Sequence, residues 1–126
     1  MNRMLLAAAA VAAMTTVGHF LAGTRLYLLP MTESDFDPVA RKVMHAVFHY
    51  ISVFLVTSTV FLLLSAFGLL GQEGGRVLAR FIAVNYALFA VVQMGLALRS
   101  GMDRALVRMF QWVFFLLIAM LAGLGA

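Results

Sequence analysis

The chain has no cysteine, two prolines, and only five acidic and nine basic residues among its 126. Without cysteine there is no disulfide framework, no thiolate metal site and no thiol nucleophile. Charged residues make up 11% of the chain, against about 25% in an ordinary soluble domain. That shortage excludes a water-soluble fold, because a domain of this length needs polar side chains over most of its surface. Disorder and a collagen-like repeat fail on the same composition. Apolar residues fill the space instead: they are 64% of the sequence, with a mean hydropathy of +1.03. This is the composition of a membrane protein.

Four stretches are free of Asp, Glu, Lys and Arg: Met4–Thr24, Val43–Gln72, Phe81–Leu98 and Met109–Ala126. A spanning helix needs about 20 mostly apolar residues, so each stretch suffices for one span and none for two. Inside lipid the backbone must satisfy its own hydrogen bonds, and the alternation of a barrel strand is absent, so these are helices. The sequence therefore predicts an all-α membrane protein of one domain, with helices over residues 4–29, 38–70, 76–98 and 104–124. Pro30 is expected to close the first helix, and Asp37 to cap the second with Pro38 at its first position. Gln72-Glu73-Gly74-Gly75 and Arg99-Ser100-Gly101-Met102-Asp103 read as tight turns. Connections this short make successive helices antiparallel neighbours, in an up-down-up-down four-helix bundle. Asn2-Arg3 ahead of an apolar run resembles the start of a signal peptide. The run continues through Val17, Phe20 and Leu21, so the first helix is expected to be retained.

Charge sets the expected orientation. The side carrying the Glu33 loop and the Asp103 turn holds Arg25, Arg41, Lys42, Arg99, Arg104 and Arg108. The side with both termini holds Arg3, Arg76 and Arg80. Six basic residues against three place the first side in the cytoplasm of a cell's inner membrane and the termini outside, although Arg3 pulls the other way. The scattered positive charges suit anionic lipid and give no sign of nucleic acid.

Polar groups within the apolar runs are where function is sought, because they are costly in lipid. All three histidines lie there. Counted at 1.5 Å per residue, His19, His45 and His49 sit roughly 15, 12 and 18 Å from the cytoplasmic side. An antiparallel hairpin then brings His19 level with the midpoint of the other two. Arg41, His45, His49, Ser52 and Thr59 share one face of the second helix. Arg104, Arg108 and Gln111 form a stripe on the fourth, and Gln93 lies at a similar depth on the third. The expected site is a His-lined polar pocket with a basic mouth, built from His19, His45, His49, Gln93, Arg108 and Gln111.

Neutral imidazole ligates zinc, copper or haem iron, so His19, His45 and His49 are candidate ligands for a haem or a transition metal. Proton relay is a second use of the same groups, and an anionic head group or quinone-like carbonyl at Arg104 and Arg108 a third. Against these stands ordinary interhelical hydrogen bonding. The acidic loop Glu33, Asp35 and Asp37 lacks the glycine and distal carboxylate of a calcium loop. Gly18-x-x-x-Ala22 and Ala119-x-x-x-Gly123 suit close helix packing, within the bundle or at a homodimer seam.

No nucleophile with a base, intramembrane carboxylate pair or phosphate loop is present. The intramembrane carboxylate of small multidrug transporters is missing from the first helix, as are the glycine–asparagine signatures of small fluoride channels. The leading expectation is a non-enzymatic scaffold or accessory subunit in the bilayer, on its own, as a homodimer or in a larger membrane complex. The alternatives are a redox or metal-handling protein using the histidines, and a small dimeric transporter.

Overall fold

A computed structural model describes all 126 residues. It is 84% helical, without strands. The helices are α1 (Arg3–Thr32), α2 (Pro38–Ala66), α3 (Gln72–Arg99), the single turn α4 (Ala105–Arg108) and α5 (Gln111–Gly125). Three of them, α1, α2 and α3, are long and apolar enough to cross a membrane. At about 1.5 Å per residue they reach about 42–45 Å, more than the roughly 30 Å of a hydrocarbon core. Of 98 backbone hydrogen bonds, 83 close within helices, which is what a low-dielectric surrounding demands.

Helix ends follow local chemistry. The Asp37 carboxylate accepts from the backbone N–H groups of Val39 and Ala40 at 2.9 and 3.1 Å, the cap its position before Pro38 predicts. Asn2 does the same for α1, accepting from Met4 and Leu5. Its side-chain amide also donates to the Gly125 carbonyl at 2.7 Å, and its backbone N–H to the Ala66 carbonyl at 2.8 Å. One residue thus ties the start of α1 to the ends of α2 and α5.

Several expected boundaries move. Pro30 does not end the first helix; α1 runs on to Thr32. The ten residues before it, His19–Leu28, are wound as a π-helix, and this loosened winding stops two residues short of the proline. In an uninterrupted α-helix the ring of Pro30 would meet the Leu26 carbonyl and leave it without a donor. The second helix ends at Ala66 rather than at residue 70, because Gly68 and Gly71 carry the turn at φ +74° and +71°, a region costly for other residues. Gln72-Glu73-Gly74-Gly75 is then the first turn of α3, not a connection. The fourth predicted helix is broken. Arg104 is left-handed at φ 52°, and Met109 leaves helical geometry at φ −107°, ψ 58°. The regular part, α5, is 15 residues, only about 22 Å long.

α1 packs on α2 and α5, α2 packs on α3, and α3 packs on α5. Leu5, Ala8, Ala9 and Ala12 are buried on one stripe of α1, and their small side chains let neighbouring backbones approach where lipid supplies no hydrophobic drive. The approach is closest at Gly125, where a Cβ would fall 2.8 Å from the Leu5 side chain. Gly18 and Ala22, by contrast, are exposed, and a Cβ on Gly18 would meet nothing within 4 Å. Midway along, Phe54, Tyr86, Phe89 and Phe115 meet with ring centroids 5.2–6.1 Å apart. Tyr86 is wholly buried and shares a 2.8 Å hydrogen bond with Ser58. Only 22 residues are buried, and large apolar side chains such as Leu21, Val91 and Leu96 stand 61–64% exposed on the outer faces. A surface of this kind is suited to lipid.

One buried polar atom has no partner: the hydroxyl of Ser65, under Gly75 near the α2–α3 turn. An unsatisfied buried group costs about 1–3 kcal/mol. Ser65→Ala is therefore expected to raise the melting temperature measured in detergent; no change would mean that water already satisfies the hydroxyl.

Candidate functional site

His19 opens the π-helical stretch of α1, and its environment differs from the one expected. Its Nε2 shares a 2.9 Å hydrogen bond with the Ser52 hydroxyl, and its ring stacks on Phe48 at a centroid distance of 4.1 Å. Ser52 donates onward to the Phe48 carbonyl at 3.1 Å. The deeper register follows from the longer α1. His19 lies thirteen residues before Thr32, and Ser52 fourteen after Pro38. His19 thus comes level with Ser52, about one and a half turns beyond the level expected from a helix closed at Pro30.

His45 and His49 stay apart from it. Their Nε2 atoms face each other at 3.1 Å on the outer side of α2. Phe48 occupies the space between them and His19, stacked on His19 and edge-on to His49 with 5.5 Å between centroids. The three imidazoles do not form one coordination unit, and no group of three or more His, Cys, Asp or Glu side chains is placed to hold a metal ion. A haem or metal ion held jointly by His19 and either of the others does not fit this arrangement. The shared depth expected from counting residues held only approximately, and the choice of neighbour separates the two sets: Phe48 and Ser52 hold His19, while the half-buried His45 ring pairs with the exposed His49 instead.

Beside His19 a cavity of about 290 Å³ opens between α1, α2 and α5. Its α1 wall is a row of adjacent pairs four residues apart: Met14 and Thr15, Gly18 and His19, Ala22 and Gly23, Leu26 and Tyr27. In a regular α-helix a four-residue repeat drifts by about 40° per step, so such a row would wind off the cavity. The wider π turn over His19–Leu28 slows that drift and keeps the pairs on one side. Gly18 and Ala22 leave room where larger residues would fill it, and Gly23 lets the His19 and Phe48 rings lie close, where a Cβ would fall 3.5–3.6 Å from them. This is the use of the small residues that the sequence pattern assigned to helix contact. The remaining walls are Ile51, Leu55 and the aromatic face of α5.

Apart from Thr15, whose hydroxyl donates to the Val11 carbonyl of its own helix at 2.8 Å, polar atoms lie at two places on this apolar wall. One is His19 with its Ser52 partner. The other is a chain of hydrogen bonds: Gln111 Nε2 donates to the Tyr27 hydroxyl at 2.7 Å, and Gln111 Oε1 accepts from Gln93 Nε2. Gln93 also reaches the Met109 carbonyl at 3.3 Å, satisfying the backbone where the fourth helix breaks. Gln93 and Gln111 thus meet as part of one network, and Gln111 borders the cavity.

The expected basic mouth is absent from it. Arg104 and Arg108 are exposed and border neither this cavity nor the groove of about 450 Å³ between α1 and α2, which shares His19, Leu26, Tyr27 and Ile51. Arg41 is a structural residue, donating to the carbonyls of Thr32 and Ser34 at 3.4 and 3.2 Å and so fixing the α1–α2 loop. Thr59 pairs with Thr16 at 3.3 Å, a turn deeper than His19. Tyr27, Phe48 and the small residues of α1 are the members of the site that polarity alone did not disclose.

Comparison with known proteins returns no family model, no curated protein and no solved structure that matches the chain.

Proposed function

We propose that this chain is a multi-pass protein of a cell's inner membrane, an antiparallel four-helix bundle that acts as a non-enzymatic accessory subunit and holds a lipophilic molecule against His19. The observation that carries the reading is the cavity: an apolar chamber among apolar helices where, apart from the Thr15 hydroxyl bonded to its own helix, hydrogen-bonding groups stand at two points. Its volume is near the lower end of the roughly 300–1,000 Å³ typical of ligand pockets, which suits a ring-sized head group better than a large macrocycle. A head bearing a carbonyl or hydroxyl, as in a quinone, matches the Tyr27–Gln111 pair, and the His19 imidazole once the Ser52 hydroxyl turns to donate to Nε2 and leaves Nδ1–H as the free donor, while its tail leaves along the groove between α1 and α2. Saturable quenching of the fluorescence of Trp112, the single tryptophan, by a short-chain benzoquinone is the expected result. Quenching no greater than that of a tryptophan ester in the same micelles would end the reading.

The four-pass arrangement draws on the pairings along the helices. Thr16 with Thr59 and Asn2 with Ala66 run in opposite directions on α1 and α2. Ser58 with Tyr86 and Gln93 with Gln111 continue the pattern through α3 and α5. α5 meets Tyr27 at one end and Asn2 at the other, so it covers the depth of α1 between them despite its length. Topology reporters fused at Glu73 and after Ala126 are expected to lie on one side, outside the cytoplasm, and a reporter at Glu33 on the other. Opposite signals at Glu73 and Ala126 would leave three crossings and remove the fourth.

A further inference from the structure

We propose that His45 and His49 are half of a site for a divalent transition-metal ion, zinc or copper(II), and that the same pair from a second copy of the chain completes it. The inference rests on the membrane reading above, and is independent of the cavity ligand.

The first observation is the bite of the pair. Zinc–nitrogen bonds of about 2.0–2.1 Å at a tetrahedral angle set two ligating nitrogens about 3.3–3.4 Å apart. The Nε2 atoms of His45 and His49 are 3.1 Å apart, one helical turn from each other. Opening the pair by a few tenths of an ångström and turning both ring lone pairs about 35° off the N···N line converts this contact into a chelate. Neither imidazole has another hydrogen-bond partner in the chain. In the metal-free pair one ring donates to the other, and the remaining ring nitrogens have no partner within the chain.

The second observation is that the site is incomplete. No third His, Cys, Asp or Glu joins the pair, and two nitrogens do not satisfy an ion that takes four ligands. Polar rings turned toward lipid are also costly unless something covers them.

The third observation identifies the cover. His45 and His49 continue into a seam of exposed side chains, Val53, Val56, Val60 and Leu63, whose spacing alternates between four and three residues from His49 onward. That is the spacing by which parallel helices pack side by side. Two copies inserted with the same orientation are related by a two-fold axis along the membrane normal, so α2 meets α2 in parallel and identical residues meet at one depth. Both His pairs then face each other across the axis, giving four imidazole ligands of the borderline type that zinc and copper(II) accept.

The test uses the full chain purified in detergent without a polyhistidine tag. Zinc is expected to bind at one ion per two chains, with a dimer in light scattering. His45→Gln and His49→Gln should each weaken zinc binding at least tenfold and return the protein to a monomer. Because the chain lacks cysteine, Val56→Cys gives a clean second readout: with dissolved oxygen as the oxidant in every sample, zinc should speed disulfide cross-linking between copies, and a chelator should abolish the gain in rate. Zinc bound at one per chain without dimerisation overturns the proposal. So does zinc binding that both glutamine variants retain. Resistance to alkaline carbonate extraction separates the two failures: an extracted protein loses the membrane reading and this site with it, whereas a retained protein without zinc-linked dimers loses this site alone.

Discussion

Tyr86→Ala is expected to destabilise the fold by about 3–5 kcal/mol, the range for removing a buried aromatic side chain. Tyr86 is the largest of the fully buried side chains. Its ring lies within 5.5–6.1 Å of the rings of Phe54, Phe89 and Phe115, so it holds α2, α3 and α5 together at mid-height. Burial against lipid brings little hydrophobic gain, and cohesion therefore rests on van der Waals contact and close fit. Losing the ring forfeits those contacts on three sides and leaves a void. Tyr86→Phe isolates the hydroxyl. Interhelical hydrogen bonds measured in a membrane average about 0.6 kcal/mol and reach about 1.7. Ser58 keeps a partner in that variant, because its hydroxyl also donates to the Leu55 carbonyl at 3.1 Å. Thermal unfolding in detergent, followed by Trp112 fluorescence, should show a large loss for alanine and a small one for phenylalanine. Equal losses would assign the stability of this layer to the hydrogen bond instead of the ring.

How much of this was legible in the sequence depends on the scale. Charge-free runs located every long helix, since the lack of charges is a property of whole segments. Asp37 and Pro38 located a helix start, because capping depends on neighbours in the chain. Pro30 misled for a comparable reason. Local rules end a helix there, but the π winding of His19–Leu28 carries α1 past it, and nothing within a few residues of Pro30 announces that. Gly74 and Gly75 looked like a turn, whereas Gly68 and Gly71 have the positive φ angles. Composition marked the region as glycine-rich without saying which glycine the backbone needed. The break at Met109 falls within the predicted helix, at the first residue of its charge-free run, and is accommodated by a pairing across helices: the Gln93 amide meets the freed Met109 carbonyl.

The site divides in the same way. Imidazoles inside apolar runs were visible as exceptional, and Ser52 lay on the correct face of α2. What counting could not supply was the neighbour each ring takes. One residue, Phe48, stands between His19 and His49 and turns an expected cluster into two separate places. The four-residue rhythm of Gly18, Ala22 and Leu26 was on the page as well. It looks like helix contact while the helix is assumed to be α, and becomes the wall of a cavity once the winding is π.

That wall gives the second large effect, and it separates a binding site from a packing defect. A Cβ on Gly18 would meet nothing within 4 Å, and Gly18 borders the cavity. Gly18→Phe is therefore expected to abolish saturable benzoquinone quenching of Trp112. Stability should hold or rise, since replacing glycine in a helix interior recovers up to about 1 kcal/mol of backbone entropy. His19→Leu removes the imidazole while leaving the chamber apolar. A lost hydrogen bond of about 1.4 kcal/mol corresponds to a tenfold weaker half-saturation, and Ser52, which retains the Phe48 carbonyl as partner, keeps the local structure in place. The two variants thus differ in kind: one excludes the ligand by volume, the other weakens it by chemistry. If Gly18→Phe leaves the quenching curve unchanged while folding normally, the probe is sitting in the micelle or at another face of the bundle. The chamber beside His19 would then be only a gap left where the π-wound segment of α1 stands off from α5.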